Sequence, residues 1–460
     1  MPKIDNIIKS YYKIKPFINK TPLEFNERLS SKYGANIYLK REDLQKTRSF
    51  KIRGSLNKII KNFLEKSLDQ KSQAKNLKES MISNKGKSLD QKLQAKNLTE
   101  STESLISNQF ESLIHNKETV RNHIVCASAG NHAQGVAYAC NLLNLKSTIY
   151  VPNIASSQKI GRIKNFGNSD MELIRYGNDF DDCLKKAIEF SDSNNSLFIH
   201  PYNDLDIIEG QGTLGYEISK DIDPDIIISS IGGGGLISGL GSFYKNKKII
   251  GVEPKGADSM YQAINNKKPF QIKHPDTFVD GASVGKVGGI TFDITKNILS
   301  LDDIKVIDNG LLCHEMINLY QEEGIILEPA GCLSVSALNY LDKEEIKDKN
   351  IVCILSGGNN DIMRYPEILE KNLIYLGLKH YYIIEFSQKP KELKKFIINV
   401  LDEKDDITRF EYIKKTNKNY GNVLVGLETK YNLELEEKLR ENNFNFKKID
   451  ENDLIYSYLV

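Results

Sequence analysis

The stretch Asp225-Ile-Ile-Ile-Ser-Ser-Ile-Gly-Gly-Gly-Gly-Leu236 decides how the rest of the chain is read. Its first half is apolar and β-branched, the pattern of a strand buried on both faces, and such strands belong to mostly parallel sheets. Four glycines follow directly: Gly232, Gly233, Gly234 and Gly235. Four bare residues after a strand expose backbone N–H groups with no side chain in the way, which suits a phosphate. The same sequence of apolar run and small residues recurs in HIVCAS (123–128) before Ala129-Gly130-Asn131-His132, and in IVCIL (351–355) before Ser356-Gly357-Gly358-Asn359. Further strand-like runs are NIYLK, STIYVP, LFIHP and KIIGVEP, and AQGVAYACNLLN and FDDCLKKAIEFSD between them have helix length and an amphipathic pattern. Strands alternating with helices to about Arg364 predict an α/β region built on βαβ units, with its ligand at the ends of the strands.

Outward from this region the pattern changes twice. From Glu65 to Glu118 apolar residues are sparse, and KSLDQKSQAKNL (66–77) returns as KSLDQKLQAKNL (87–98). Two copies do not make a solenoid, and a segment so poor in apolar residues cannot offset its ordering entropy. It reads as an insertion, exposed and without a fold of its own. From about Leu373, HYYIIEF and ITRFEYIKK read as strands, with PKELKKFIINVLD between them as a helix opened by proline. A turn TNKNYG, the strand NVLVGLE, the helix LELEEKLRENN and short strands to Val460 complete a βαββαβ order. That order is the split-βαβ, ferredoxin-like arrangement, a domain of its own.

Composition narrows the function. The chain has 460 residues, enough for about three units. Its 63 basic and 61 acidic residues leave a net charge of +2, which removes the electrostatic footprint of a nucleic-acid binder. No apolar run approaches a membrane span and MPKIDNIIKSYYK is no signal peptide, so a soluble cytoplasmic protein is expected. The six cysteines are scattered with no CxxC pair, which points to small hydrophobic packing.

Two familiar patterns are set aside. Gly210-Gln211-Gly212-Thr213-Leu214-Gly215 satisfies the dinucleotide fingerprint, but an acidic stretch precedes it and no ribose-binding acid follows. Gly281 to Val287 looks like a phosphate loop, but it is one residue short and lacks the hydroxyl that binds magnesium.

The chemistry gathers elsewhere. In Ser49-Phe50-Lys51-Ile52-Arg53-Gly54, a lysine flanked by small residues can lose its proton in a desolvated pocket and form a Schiff base. Ser128-Ala129-Gly130-Asn131 ends a strand and opens a helix, where free N–H groups form an anion site. Asn131 can offer an amide to a ring hydroxyl or a carboxylate. Next to it, His132 reads as a structural histidine. The Ser356 hydroxyl at another strand end can face a ring nitrogen.

Taken in order, SFKIRG, SAGNHAQG, GQGT, GGGGL, EPAG (from Glu328) and SGGN resemble the fold-type II pyridoxal-phosphate enzymes, the relatives of tryptophan synthase β. More narrowly they resemble the short-form biosynthetic threonine dehydratases, whose single ACT-like domain matches the segment 373–460. The resemblance implies a two-lobed α/β catalytic region over 1–364, its smaller lobe roughly 44–195 and interrupted by the insertion at 65–118. It implies pyridoxal 5'-phosphate held as a Schiff base on Lys51, which would also take the Cα proton. Phe50 would pack by the ring, Asn131 would meet its hydroxyl and Ser356 its nitrogen, and Gly232 to Gly235 would bind the phosphate. Ser128, Ala129 and Gly130 would hold the substrate carboxylate. L-threonine is the implied substrate, with L-serine as the alternative, in the first committed step of isoleucine biosynthesis. Isoleucine or valine is the implied effector, in a homo-oligomer. Serine racemases carry a second serine where this chain has Ala129, and an acid of their metal site where it has Ser259, so neither racemisation nor a required metal is expected. A β-replacement synthase and a non-catalytic amino-acid sensor are the rival readings; the intact Lys51, glycine loop and Ser356 speak against the sensor. Lys391 stands where ACT-like loops commonly have glycine.

Overall fold

The computed structural model of the chain describes residues 1–62, 123–413, 418–451 and 453–460. The insertion expected over 65–118 lies outside the described residues, as does part of the TNKNYG turn. The described chain divides into two compact units, 1–307 with 326–360, and 308–325 with 361–460. The helix Asn309–Glu323 therefore groups with the C-terminal unit, although its sequence position falls within 1–364.

The first unit holds two sheets. The smaller joins β3 (Ile124–Ala127), β4 (Ser147–Val151), β5 (Met171–Arg175) and β6 (Leu197–Phe198) in the order β5-β4-β3-β6, all parallel. The larger has β1 (Leu23–Phe25), β2 (Asn36–Arg41), β7 (Ile226–Ser230), β8 (Lys248–Pro254), β9 (Ile304–Ile307) and β10 (Asn350–Leu355). Their order is β1-β2-β10-β7-β8-β9, parallel except for the antiparallel edge strand β1. The central strands are buried along their length, as continuous apolar runs in a two-faced sheet must be. β1, β5 and β9 fall outside the apolar runs picked out in the sequence, and LFIHP pairs over two residues only. All six cysteines are free and buried, and burial pushes the Cys140 thiol up to about 12, which fits inert packing.

Ser49, Ser128, Pro201, Gly232 and Ser356 follow the carboxyl ends of β2, β3, β6, β7 and β10, the ends at which open α/β sheets generally bind ligands. Two bare-glycine contacts set how closely the helices behind them approach. GQGTLG lies inside the helix Leu205–Ser219, not at a strand end, so the dinucleotide reading fails on structure as well. A Cβ on Gly212 would stand 2.9 Å from the Gly239 carbonyl oxygen, and one on Gly239 only 2.5 Å from the Gly212 nitrogen. These glycines let this helix cross the helix Gly235–Phe243 at backbone distance.

In the second unit β11 (Lys379–Ser387), β12 (Asp406–Glu411), β13 (Tyr420–Glu428) and β14 (Asn445–Ile449) form an antiparallel sheet in the order β12-β13-β11-β14. With helices Glu392–Asn399 and Asn432–Glu441 this is the ferredoxin-like order. Alternate residues of β11, Tyr382, Ile384 and Phe386, point into a core shared with Phe396, Val425 and Leu439. Two details differ from the sequence reading. After β14 the described chain ends in a short 3₁₀ turn, Tyr456–Tyr458, and no further strand. Pro390 lies before the helix and Lys391 caps it at φ +76°, a left-handed conformation that favours glycine and costs a lysine roughly 1–2 kcal/mol.

Candidate active site

Lys51 opens the helix over 51–62, and its position is fixed from both sides. Ahead of it, Ser49 bridges Gly357 and the Phe50 N–H donates to the Ser356 carbonyl at 3.1 Å, tying the SFK segment to the end of β10. Behind it, Arg53 is fully buried between Glu42 (2.7 Å) and Glu217 (3.1 Å), and Lys40 meets Glu217 at 2.7 Å. Burial opposes ionising Glu217, but the Arg53 and Lys40 charges outweigh it and hold its pKa below the usual carboxylate range. Two cations and two carboxylates thus offset one another in the core, where Arg53 stands two residues after Lys51.

The Lys51 Nζ donates to the Pro201 carbonyl at 3.1 Å and lies 5.1 Å from the centre of the Phe50 ring. Burial lowers its pKa to about 8, with the Glu328 carboxyl pulling the other way. A lysine so placed is a nucleophile near neutral pH. The Pro201 segment carries two more contacts. His200 Nδ1 accepts the Tyr202 and Asn203 N–H groups at 3.2 and 2.9 Å, and burial holds this imidazole neutral, at about 4.

Tyr202 walls the glycine loop. A Cβ on Gly233 would stand 2.2 Å from the Tyr202 ring, and Gly234, at φ +90°, leaves 2.8 Å to Met260 and 2.9 Å to Thr291. The loop is held by the Thr291 hydroxyl, which donates to the Gly233 carbonyl at 2.7 Å. Gly235 begins the helix Gly235–Phe243, whose first-turn N–H groups have no intrahelical acceptor and face a loop without side chains.

Ser128, Ala129 and Gly130 follow β3, and Asn131 begins the helix Asn131–Leu142. Two of the backbone donors expected for a carboxylate are already engaged. The Ser128 N–H donates to the Tyr150 carbonyl at 3.0 Å, and the Gly130 N–H to Ser128 Oγ at 3.1 Å. The Ser128 hydroxyl proton and the amides at the start of the helix remain as donors. On the same helix Gly135 abuts Ile52, where a Cβ would lie 3.2 Å from the Ile52 nitrogen, so this helix packs on the one carrying Lys51. His132 is structural: its Nε2 meets the Ile199 carbonyl at 2.9 Å, and burial and Lys51 lower its pKa to about 3.

Ser356 is buried, accepting from Ser230 Oγ and donating to the Ala330 carbonyl, both at 3.2 Å. To donate elsewhere its proton must leave Ala330. Glu328, the acid of EPAG, has a place here that its sequence context does not reveal. It is 6% exposed, its Oε1 accepts from Asn131 Nδ2 at 2.6 Å, and a Cβ on Gly357 would come within 2.2 Å of that oxygen. Burial, with Asp280 nearby, raises its pKa to about 7 against the opposing pull of Asn131, Lys159 and Lys51. Glu253 uses both oxygens on the Met260 and Tyr261 N–H groups, and no three His, Cys, Asp or Glu among the described residues gather as metal ligands.

A buried lysine amine, a glycine loop at a helix start and an amide with a spare hydrogen are the groups that hold a phosphorylated aromatic aldehyde. In agreement, the family model for pyridoxal-phosphate dependent enzymes matches residues 14–89 and 93–357, and the chain belongs to that family. Residues 370–459 match the C-terminal regulatory domain of threonine dehydratase. Biosynthetic L-threonine dehydratases of Halalkalibacterium halodurans and Staphylococcus epidermidis are 40% and 41% identical to this chain. These alignments cover 100% and 99% of the chain, and 99% and 98% of the two relatives, so within the family the chain stands with the biosynthetic threonine dehydratases. Among solved structures, the processed form of threonine deaminase isoform 2 from Solanum lycopersicum is 30% identical, with a TM-score of 0.63 over 80% of this chain and 89% of that one. Maize serine racemase, at 24% identity and a TM-score of 0.62 over 82% and 99%, shares the fold.

Proposed function

We propose that the chain dehydrates and deaminates L-threonine to 2-oxobutanoate and ammonia, the first committed step of isoleucine biosynthesis. The observation that carries the chemistry is the Lys51 amine, buried, lowered to about 8 and held by Pro201 at the strand ends. When bound, pyridoxal phosphate supplies an electron sink conjugated to the substrate Cα. Lys51 Nζ would hold the cofactor and, once free of it, would serve as the general base that takes the Cα proton. The Ser128 hydroxyl and the amides around Ala129 and Asn131 hold the substrate carboxylate, and Gly232 to Gly235 hold the phosphate. Asn131 would meet the ring hydroxyl, Phe50 would pack by the ring and Ser356 would meet the ring nitrogen. A neutral hydroxyl there does not enforce a charged ring, which suits elimination over transamination. The β-hydroxyl leaves as water, and a second water hydrolyses the resulting unsaturated amine to the keto acid and ammonia.

The catalytic region spans 1–364 and the regulatory domain 373–460, with isoleucine or valine as effector and a homo-oligomer as the working form. The cytoplasm is the proposed place of action. Among the described residues no helix is long and apolar enough to cross a membrane. Rates on threonine and serine, with and without isoleucine, test this reading. A higher kcat/KM on threonine, inhibited by isoleucine, is expected. Cysteine formed from serine and sulfide, with no keto acid from threonine, overturns it in favour of a β-replacement enzyme.

A further inference from the structure

We infer that Arg162, Asn359, Asn131 and Glu328 form a polar relay that holds the Asn131 amide in the one orientation able to meet the cofactor ring. The inference rests on the ring-facing role of Asn131 proposed above. Arg162 Nη1 donates to Asn359 Oδ1 at 2.8 Å, Asn359 Nδ2 donates to Asn131 Oδ1 at 2.7 Å, and Asn131 Nδ2 donates to Glu328 Oε1 at 2.6 Å. All three bonds run in the same direction. Asn359 Nδ2 also donates to the Thr47 carbonyl at 2.9 Å, so both of its hydrogens are engaged.

Direction is set at the ends. A guanidinium can only donate, so Arg162 fixes which end of the Asn359 amide faces it. The Asn359 nitrogen must then face Asn131, and it donates only to the oxygen end of that amide. A flipped Asn131 would set nitrogen against nitrogen at one end and oxygen against a carboxyl oxygen at the other. Burial raises the Glu328 pKa to about 7, so Glu328 can be protonated and able to donate as well; the donor-only Arg162 then keeps the direction. One Asn131 Nδ2 hydrogen is engaged by Glu328, which leaves a single hydrogen for the ring oxygen.

The members alternate between the two sheets of the first unit. Arg162 and Asn131 stand on helices Ser157–Phe166 and Asn131–Leu142 beside the smaller sheet. Asn359 follows β10 of the larger one, and Glu328 caps the helix Pro329–Ser336. Arg162 also reaches the Asn360 carbonyl at 3.4 Å, so it fastens the segment that carries Asn359. It acts on the ring only through Asn359 and Asn131, which makes it a positioning residue.

The test uses holoenzyme reconstituted with pyridoxal phosphate. It reads the cofactor dissociation constant and the ratio of the two absorption bands that report where the proton of the ring oxygen sits. Arg162→Met is expected to weaken cofactor binding about tenfold, or about 1.4 kcal/mol, and to change the band ratio. Arg162→Lys, still a pure donor, is expected to restore most of both, which mere loss of packing would not allow. Asn359→Leu repeats the test should Arg162→Met fold poorly. A changed ratio in Asn131→Ala with an unchanged ratio in Arg162→Met and Asn359→Leu overturns the relay and leaves the ring-facing role standing. No change in Asn131→Ala overturns both.

Discussion

The buried amine of Lys51 is open to a quantitative test. Burial takes its pKa from the ordinary 10.5 to about 8, a differential cost of the charged form of about 3 kcal/mol. At pH 7 about one amine in ten is then neutral, against roughly one in three thousand for an exposed lysine, a gain of about 300-fold in free nucleophile. The assay is the rate at which apoenzyme captures pyridoxal phosphate, followed by absorbance across pH. The rate should rise with pH and level off with a midpoint near 8. The Glu328 carboxyl raises the Lys51 pKa, so Glu328→Gln should move that midpoint downward. A midpoint near 10, or one that moves upward in Glu328→Gln, would refute the argument that burial tunes this amine with Glu328 opposing it.

Three further outcomes follow from the same geometry. Gly233→Ala places a methyl group 2.2 Å from the Tyr202 ring, so the loop or the ring must shift; cofactor affinity measured by titration should fall at least about tenfold, with about 1–3 kcal/mol of stability lost in thermal unfolding. Glu328, with its folded pKa raised from 4.5 to about 7, binds more protons folded than unfolded between those values, so stability falls as pH rises through that window and levels off above it. Apoenzyme melts at pH 5 and pH 7.5 should show a drop, at most about 3 kcal/mol, that Glu328→Gln lacks. Phe396→Ala removes a fully buried ring from the second unit and should destabilise it by about 3–5 kcal/mol, read as an earlier transition in calorimetry.

Much of the first unit was legible because strand ends in this fold are written in small residues. The four glycines after DIIISSI, the SAGN after HIVCA and the Ser356 after IVCIL all stand where the parallel sheets end. The sequence EPAG shows no task for Glu328, because its partners are Asn131, far away along the chain, and the bare Cα of Gly357. The same holds for Arg162 and Tyr202, whose partners are loops that only the fold assembles. β1 is three residues long and β5 is partly exposed, so neither shows the continuous apolar run that marks β7 or β10. GQGTLG misleads in the opposite sense: Gly210 admits the backbone of Arg53 and Gly54, Gly212 that of Gly239 and Gly215 the ring of Phe243, and a one-dimensional pattern does not separate such close packing from a phosphate turn. In the second unit HYYIIEF, ITRFEYIKK and NVLVGLE contain most of β11, β12 and β13, while the left-handed Lys391 shows why a glycine-preferring position is hard to recognise when another residue occupies it.

With Lys51 proposed as the residue on which threonine dehydration depends, keto-acid formation is the decisive readout. Purified holoenzyme given L-threonine should release 2-oxobutanoate and ammonia in equal amounts. Lys51→Ala, loaded with the same cofactor, should release neither above background. Holoenzyme that forms no 2-oxobutanoate from threonine, or a Lys51→Ala variant that forms it at the parent rate, would rule out a Lys51-dependent threonine dehydratase.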